Sequence, residues 1–110
     1  MADRSPPIHP GEILSEDFLK PLGKTPYWLA RRVHVPVGRI TAILAGKRAI
    51  TVDTAIRIAK VFGTSVELWL DLQMDYELDL ISDHRAEIEA SIEPLKREDA
   101  VEADTPGQAA

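Results

Sequence analysis

TPYWLARRVHVPVGRITAILAGKR, residues 25–48, holds two short helical patterns separated by a single turn. Thr25 has the side chain of a helix N-cap, and Pro26 fits the first helical position, where a missing N–H costs nothing. Leu29, Ala30 and Val33 then fall on one face, and Pro36 stops this helix within a few residues. Pro36 also opens the next helix, whose core face is Ile40, Ile43 and Leu44 at i, i+3 and i+4. Gly46 suits the left-handed position that ends it. Ala30 lies near the middle of the first helix and Ile40 near the middle of the second, with His34-Val35-Pro36 between them. That is the spacing of a helix-turn-helix: a small residue lets the helices cross closely, a branched one fills their angle, and the second helix can enter a major groove. The alternative is an ordinary αα-hairpin with exposed arginines.

The flanking sequence continues the helical pattern. Residues 1–8 read as a disordered lead-in. His9 and Pro10 then start a helix with Ile13, Leu14 and Phe18 inward, ended by Pro21 and Gly23. Thr51 caps a fourth helix with an apolar stripe of Val52, Ala55, Ile58, Ala59 and Phe62, closed by Gly63, and Asp53 favours its positive end. Thr64-Ser65-Val66-Glu67 has the form of a capping box for a fifth. That helix carries apolar residues around most of its circumference, more than the single stripe one buried face needs. The excess predicts two covered sides, one on its own domain and one on a second copy. In 81–95, Ile81, Ile88, Ile92 and Leu95 recur near heptad spacing, so a further helical segment is expected. Residues 96–110 read as an acidic disordered tail. The expected fold is all-α, a five-helix domain over 9–80 with a C-terminal helical extension.

Charge divides the chain. Residues 1–63 carry ten Lys/Arg against five acids, and residues 64–110 carry three against thirteen, within a net charge of −5. From Thr25 to Gly63 there are seven basic residues and one acid. A basic surface suits a phosphate backbone, and an acidic segment suits a basic protein or merely solvates the chain. With no cysteine, disulfides and cysteine-based zinc sites are excluded. No apolar run reaches the length of a membrane span, and the first residues contain no apolar signal core, so a cytoplasmic location is expected, on the nucleoid when bound to operator. His9, His34 and His84 share no ligand spacing, and the carboxylate pairs Glu16-Asp17 and Glu87/Glu89 lie on polar helix faces. No phosphate loop or nucleophile set stands out. We therefore expect no enzyme, no cofactor and no metal.

On the second helix of the pair, Val37, Gly38, Arg39, Thr41 and Ala42 lie off the core face and are the candidates for base edges. Arg39 can bond guanine N7 and O6 together, Val37 and Ala42 can touch a thymine methyl, and Gly38 permits close backbone approach. Thr25, Tyr27, Arg31, Arg32, Lys47 and Arg48 suit phosphates.

The runs Val35-Pro36-Val37-Gly38-Arg39-Ile40 and Leu44-Ala45-Gly46-Lys47-Arg48 resemble the XRE (Cro-type) helix-turn-helix family, with its lambda repressor-like fold. More narrowly, the chain is similar to HigA-type antitoxins. That similarity rests on His9-Pro10-Gly11-Glu12, Ile50-Thr51, Asp53-Thr54-Ala55, Phe62-Gly63-Thr64-Ser65, Glu67, Trp69-Leu70, Leu72-Gln73 and Tyr76. These matches run in register from His9 to about Leu80. The resemblance implies a homodimeric repressor of its own toxin–antitoxin operon, binding double-stranded operator DNA. It also implies a RelE-like basic toxin as partner, the mRNA endonuclease HigB, and no membrane or small-molecule substrate. By position, Val37 to Ala42 would be the base-reading segment, and Val66, Trp69, Leu70, Gln73, Tyr76 and Leu80 would form the dimer interface. His34 departs from the glycine usual at the turn. A stand-alone XRE repressor without a toxin, and an interaction module that no longer binds DNA, are the other readings.

Overall fold

The computed structural model describes residues 6–96, so the expectations for 1–5 and 97–110 fall outside the described residues. Among the described residues every regular element is helical. Helix α1 is continuous through an α-helical turn at Pro10–Ile13, a π-helical stretch at Leu14–Leu19 and a last turn at Lys20–Leu22. There follow α2 (Pro26–Val33), α3 (Val37–Leu44), α4 (Val52–Phe62), α5 (Val66–Leu80) and α6 (Ser82–Ala90). The fold is thus all-α, as the sequence predicts. It divides at Leu80/Ile81 into two units.

Local signals explain most helix ends. The Nδ1 atom of His9 accepts from the Gly11 N–H at 2.9 Å, which makes His9 the cap of α1. Thr25 accepts from the Trp28 N–H at 3.0 Å and Thr51 from the Thr54 N–H at 3.3 Å. Three details differ from the sequence reading. Pro21 does not end α1. It sits inside the last turn, after a widened stretch in which the Lys20 N–H reaches back five residues to the Ser15 carbonyl. That widening relieves the clash a proline ring makes with the carbonyl four residues earlier, and Gly23 in the left-handed conformation ends the helix instead. Pro36 is the residue before α3 rather than its first residue, with extended backbone. The cap of α5 is Ser65, whose Oγ accepts from the Leu68 N–H at 3.0 Å, because the Thr64 hydroxyl is already taken by the Trp69 indole N–H at 2.8 Å.

The turn between α2 and α3 keeps its shape without glycine. His34 lies at φ 62°, ψ 47°, and is the sole described non-glycine residue at positive φ. The Val35 N–H bonds back to the Ala30 carbonyl at 3.1 Å, closing the turn in the manner of a glycine cap. Histidine tolerates this region better than branched residues, at a cost of about 1–2 kcal/mol.

The core of residues up to Leu80 joins Leu14, Leu19, Leu29, Ala30, Val33, Ile40, Ile43, Ile50, Ala55, Ile58, Ala59 and Trp69. Ala30 and Ile40 are both buried at the α2–α3 crossing. Trp69 is fully buried, with Phe18 against it at 5.1 Å between ring centroids and Phe62 beyond Phe18 at 5.1 Å. Val52 was expected in the α4 stripe but is 58% exposed, since it occupies the first turn on the outer side. In the second unit α6 carries an Arg85–Glu89 pair at 3.1 Å, and Ile81, Ile88, Ile92 and Leu95 are all exposed.

Gly11 sets the spacing of α1 to α3. A Cβ built there would overlap the Ile43 carbonyl, a backbone group that cannot swing aside. Gly11→Ala is expected to destabilise the domain by about 1–3 kcal/mol, as overpacking does, seen as a lower midpoint in urea unfolding. An unchanged midpoint would show that the two backbones are not in contact.

Candidate nucleic-acid interface

Helix α3 turns Ile40 and Ile43 into the core, and that rotation decides which residues remain outside. Val37, Gly38 and Thr41 are exposed, while Arg39 and Ala42 are half-buried at the edges. A Cβ at Gly38 would meet nothing, so nothing within the chain requires glycine there. The bare backbone is an outward feature. The Thr41 hydroxyl donates to the Gly38 carbonyl at 3.2 Å. The five residues expected to read bases therefore share the outer side of one helix.

Of the expected phosphate-contacting residues, Lys47 and Arg48 lie on the loop that follows α3. Thr25, Tyr27 and Arg31 belong to α2, which packs against α3, and Arg32 lines a hollow with Ile56, Arg57 and Lys60 of α4. Thr25 and Tyr27 are exposed on the first turn of α2. The Arg31 guanidinium donates to the Tyr27 hydroxyl at 3.3 Å and lies 5.8 Å from its ring centroid. Arg32 and Lys24 approach the Trp28 ring from 5.3 and 5.1 Å. These contacts hold flexible cations in place on an aromatic support, which lowers the side-chain entropy that binding any anion would cost. Lys47 and Arg48 project from the loop after α3, where Gly46 at φ 76° makes the turn.

Three buried or half-buried polar groups support this surface, and the sequence reading missed two of them. Arg57 counts in the sequence only as one more cation. In the structure it donates to the Val33 carbonyl at 2.7 Å, which satisfies the end of α2, and to Asp53 at 2.6 Å. That hydrogen bond, with added attraction from Arg57 and Arg39, holds the Asp53 carboxyl below its usual range. Gln73, expected at the dimer interface, is buried. Its Oε1 accepts from the Ile50 N–H at 2.9 Å, and its Nε2 donates to Glu77 at 2.9 Å. An uncharged polar residue among the apolar and acidic positions of α5 was the available signal. His9, read from sequence only as a cap, is 8% exposed. Its ring meets Tyr76 edge-on at 4.8 Å, lies beneath Gly46 and hydrogen-bonds the Arg48 backbone. The loop bearing Lys47 and Arg48 thus rests on His9 at one end and on Gln73 at the other.

Of the other residues expected at a dimer interface, Trp69 is fully buried, Val66, Leu70 and Tyr76 are half-buried, and Leu80 is exposed. Leu68, Met74 and Leu78 are also exposed on α5. No described residues form a cluster able to hold a metal ion. No described helix is long and apolar enough to cross a membrane.

The helix-turn-helix family HTH_3 matches residues 16–69. The structure of the Pseudomonas aeruginosa antitoxin HigA with the higBA promoter is 40% identical, covers 82% of this chain and 99% of its own, and superposes with a TM-score of 0.75. An addiction module antidote protein of the HigA family from Coxiella burnetii is 42% identical, with 83% and 100% coverage and a TM-score of 0.75. Virulence-associated protein I of Dichelobacter nodosus is 42% identical over 83 residues, 76% of this chain and 77% of that one.

Two expectations follow for the interface. Arg39→Ala should weaken operator binding by about 1–3 kcal/mol and relax one base position, whereas Lys47→Ala should weaken all sequences alike and lower the salt slope by about one. Gel-shift titrations at several salt concentrations separate the two, and equal loss on operator and scrambled DNA for Arg39→Ala would remove it from base reading. The second concerns His9. Burial pushes its pKa below the ordinary 6.5, the Arg48 hydrogen bond opposing this in part. The unfolded chain therefore takes up a proton first. The contribution of His9 is complete above pH 6.5 and declines as pH falls below it towards the folded value. Urea midpoints should drop between pH 7.5 and 5.5, and His9→Asn, which can keep the cap, should flatten that drop. An equally steep drop in His9→Asn would assign it to other groups.

Proposed function

The chain belongs to the HTH_3 helix-turn-helix family, among its HigA-type antitoxins, and we propose that it is a dimeric repressor that binds the operator of its own toxin–antitoxin operon. In this reading α3 enters the major groove and Val37, Gly38, Arg39, Thr41 and Ala42 face base edges. Thr25, Tyr27, Arg31, Arg32, Lys47 and Arg48 hold phosphates and fix the register. The observation that carries it is the outer side of α3, where Val37, Gly38 and Thr41 are exposed beside half-buried Arg39 and Ala42, with Arg31 of the adjoining α2 held on Tyr27. The Pseudomonas aeruginosa antitoxin crystallised with promoter DNA supports it.

Two α3 helices must reach successive major grooves, about 34 Å apart, which calls for a two-fold dimer. The accessible face of α5 for it is Leu70, Met74 and Leu78, at i, i+4 and i+8, while Leu68 and Leu80 are exposed on its flanks. Trp69 and Gln73 serve the dimer only through the core they hold. The second activity is neutralisation of a small basic RelE-like mRNA endonuclease, HigB, by the acidic part of the chain. Residues 64–110 carry thirteen acids against three bases, which supports a basic partner. A stand-alone repressor lacks any such partner.

One experiment separates these readings. The tagged chain is purified from its own cells in mild salt, and stoichiometric partners are identified and expressed alone. The antitoxin reading expects a small basic protein that arrests growth and is silenced by co-expression of this chain. Recovery of dimer with promoter DNA and no such protein would leave a plain repressor. In the same preparation Leu70→Asp/Met74→Asp should sediment as a monomer, and an unchanged dimer would move the interface off this side of α5.

A further inference from the structure

The segment before α1, α1 itself and α5 line a hollow of about 230 Å³ formed by Pro6, Ile8, Ile13, Leu72, Asp75, Tyr76 and Asp79. Its wall is apolar and its rim is two carboxylates. We propose that this hollow receives a basic side chain with an aliphatic stem, Arg or Lys, from the toxin. The proposal rests on the antitoxin reading above and assigns it a site.

Four observations carry it. The volume is below the roughly 300 Å³ at which small-molecule pockets begin, so the hollow fits one protruding side chain rather than a metabolite. Asp75 and Asp79 stand one turn apart on α5, an unfavourable like-charge pair that a cation would relieve. Among the described residues neither carboxylate is paired with a cation. The apolar wall of Ile8, Ile13 and Leu72 suits the methylene stem of Lys or Arg while its head reaches the rim. A second copy is the poorer occupant, because the dimer face proposed above runs along Leu70, Met74 and Leu78, and Asp75 and Asp79 lie on another side of α5.

The position of the hollow also gives it a consequence. Tyr76 lines it and holds the His9 ring at 4.8 Å, and His9 lies beneath Gly46 and bonds the Arg48 backbone. A side chain seated on Tyr76 therefore bears on the support of the phosphate-contacting loop. Toxin binding and operator binding are then linked, and linkage is reciprocal.

The test uses the full chain and the purified basic toxin recovered with it. Asp75→Lys/Asp79→Lys changes two exposed positions and should leave helicity, the unfolding midpoint and the ratio of operator to scrambled-DNA affinity unchanged. It should weaken toxin binding at least tenfold in calorimetric titration, and Ile8→Glu should do likewise. Glu67→Lys/Asp71→Lys makes the same change in net charge elsewhere on α5 and should cost threefold or less. In addition, a toxin concentration that shifts the operator affinity of the unaltered chain should leave that of Asp75→Lys/Asp79→Lys where it was. Equal losses in the two double variants would overturn the proposal in favour of diffuse charge attraction. Unchanged toxin binding would overturn it outright, and loss of the dimer in Asp75→Lys/Asp79→Lys would assign the hollow to a second copy. Failure of the unaltered chain to bind any basic toxin would instead overturn the antitoxin reading itself.

Discussion

Everything the outer side of α3 can do depends on how close α1 lies to it. Gly11 has no side chain, and the backbone of α1 therefore lies against the Ile43 carbonyl. That approach seats His9 under the loop that follows α3. With α1 held there, Ile40 and Ile43 are locked inward, and the rotation of α3 about its own axis is decided. A helix that presents a few side chains to base edges tolerates little error in that rotation, because a turn of one residue, 100°, would exchange Arg39 for a core position.

The same economy appears in the supports around the interface. Arg57 satisfies the carbonyl at the end of α2, and Gln73 holds the Ile50 N–H. Trp69 gives its indole N–H to Thr64, and among the described residues no buried side-chain polar atom lacks a partner. Each bond joins segments distant in sequence, or the end of one helix to the start of the next. A buried polar group left without its partner costs about 1–3 kcal/mol, so these contacts specify the arrangement as well as stabilise it. The charge division follows the same plan: cations stand on α2 and on the loop after α3, whereas Asp75 and Asp79 of α5 rim the hollow beside α1.

Most of the fold was legible in the sequence, because helix starts and stops are local events. His9, Thr25 and Thr51 cap as their types and positions predict, and Gly23, Gly46 and Gly63 all lie at positive φ. The core faces of α2 and α3 follow from their spacing. What escaped were contacts that no local pattern encodes. The π-helical stretch that admits Pro21 depends on a whole helix adjusting. The roles of Arg57 and Gln73 depend on partners more than twenty residues away. The apolar residues of α5 could not be divided by periodicity alone, since only the positions of α1 and α4 reveal that Trp69 and Gln73 turn inward while Met74 and Leu80 do not. Which residues of α3 are left off its core face was legible because the same rotation that buries Ile40 and Ile43 leaves Val37, Gly38 and Thr41 exposed and Arg39 and Ala42 at the edges.

The central claim is that two α3 helices, held by one dimer, read successive major grooves of an operator. Hydroxyl-radical footprinting combined with guanine methylation interference on the DNA upstream of the gene tests it most directly. The account predicts two patches of interference in the major groove, related by two-fold symmetry and centred about 34 Å apart on one face of the duplex. Backbone protection should flank each patch. A single patch, or protection spread evenly along the duplex without interference at any guanine, would contradict it.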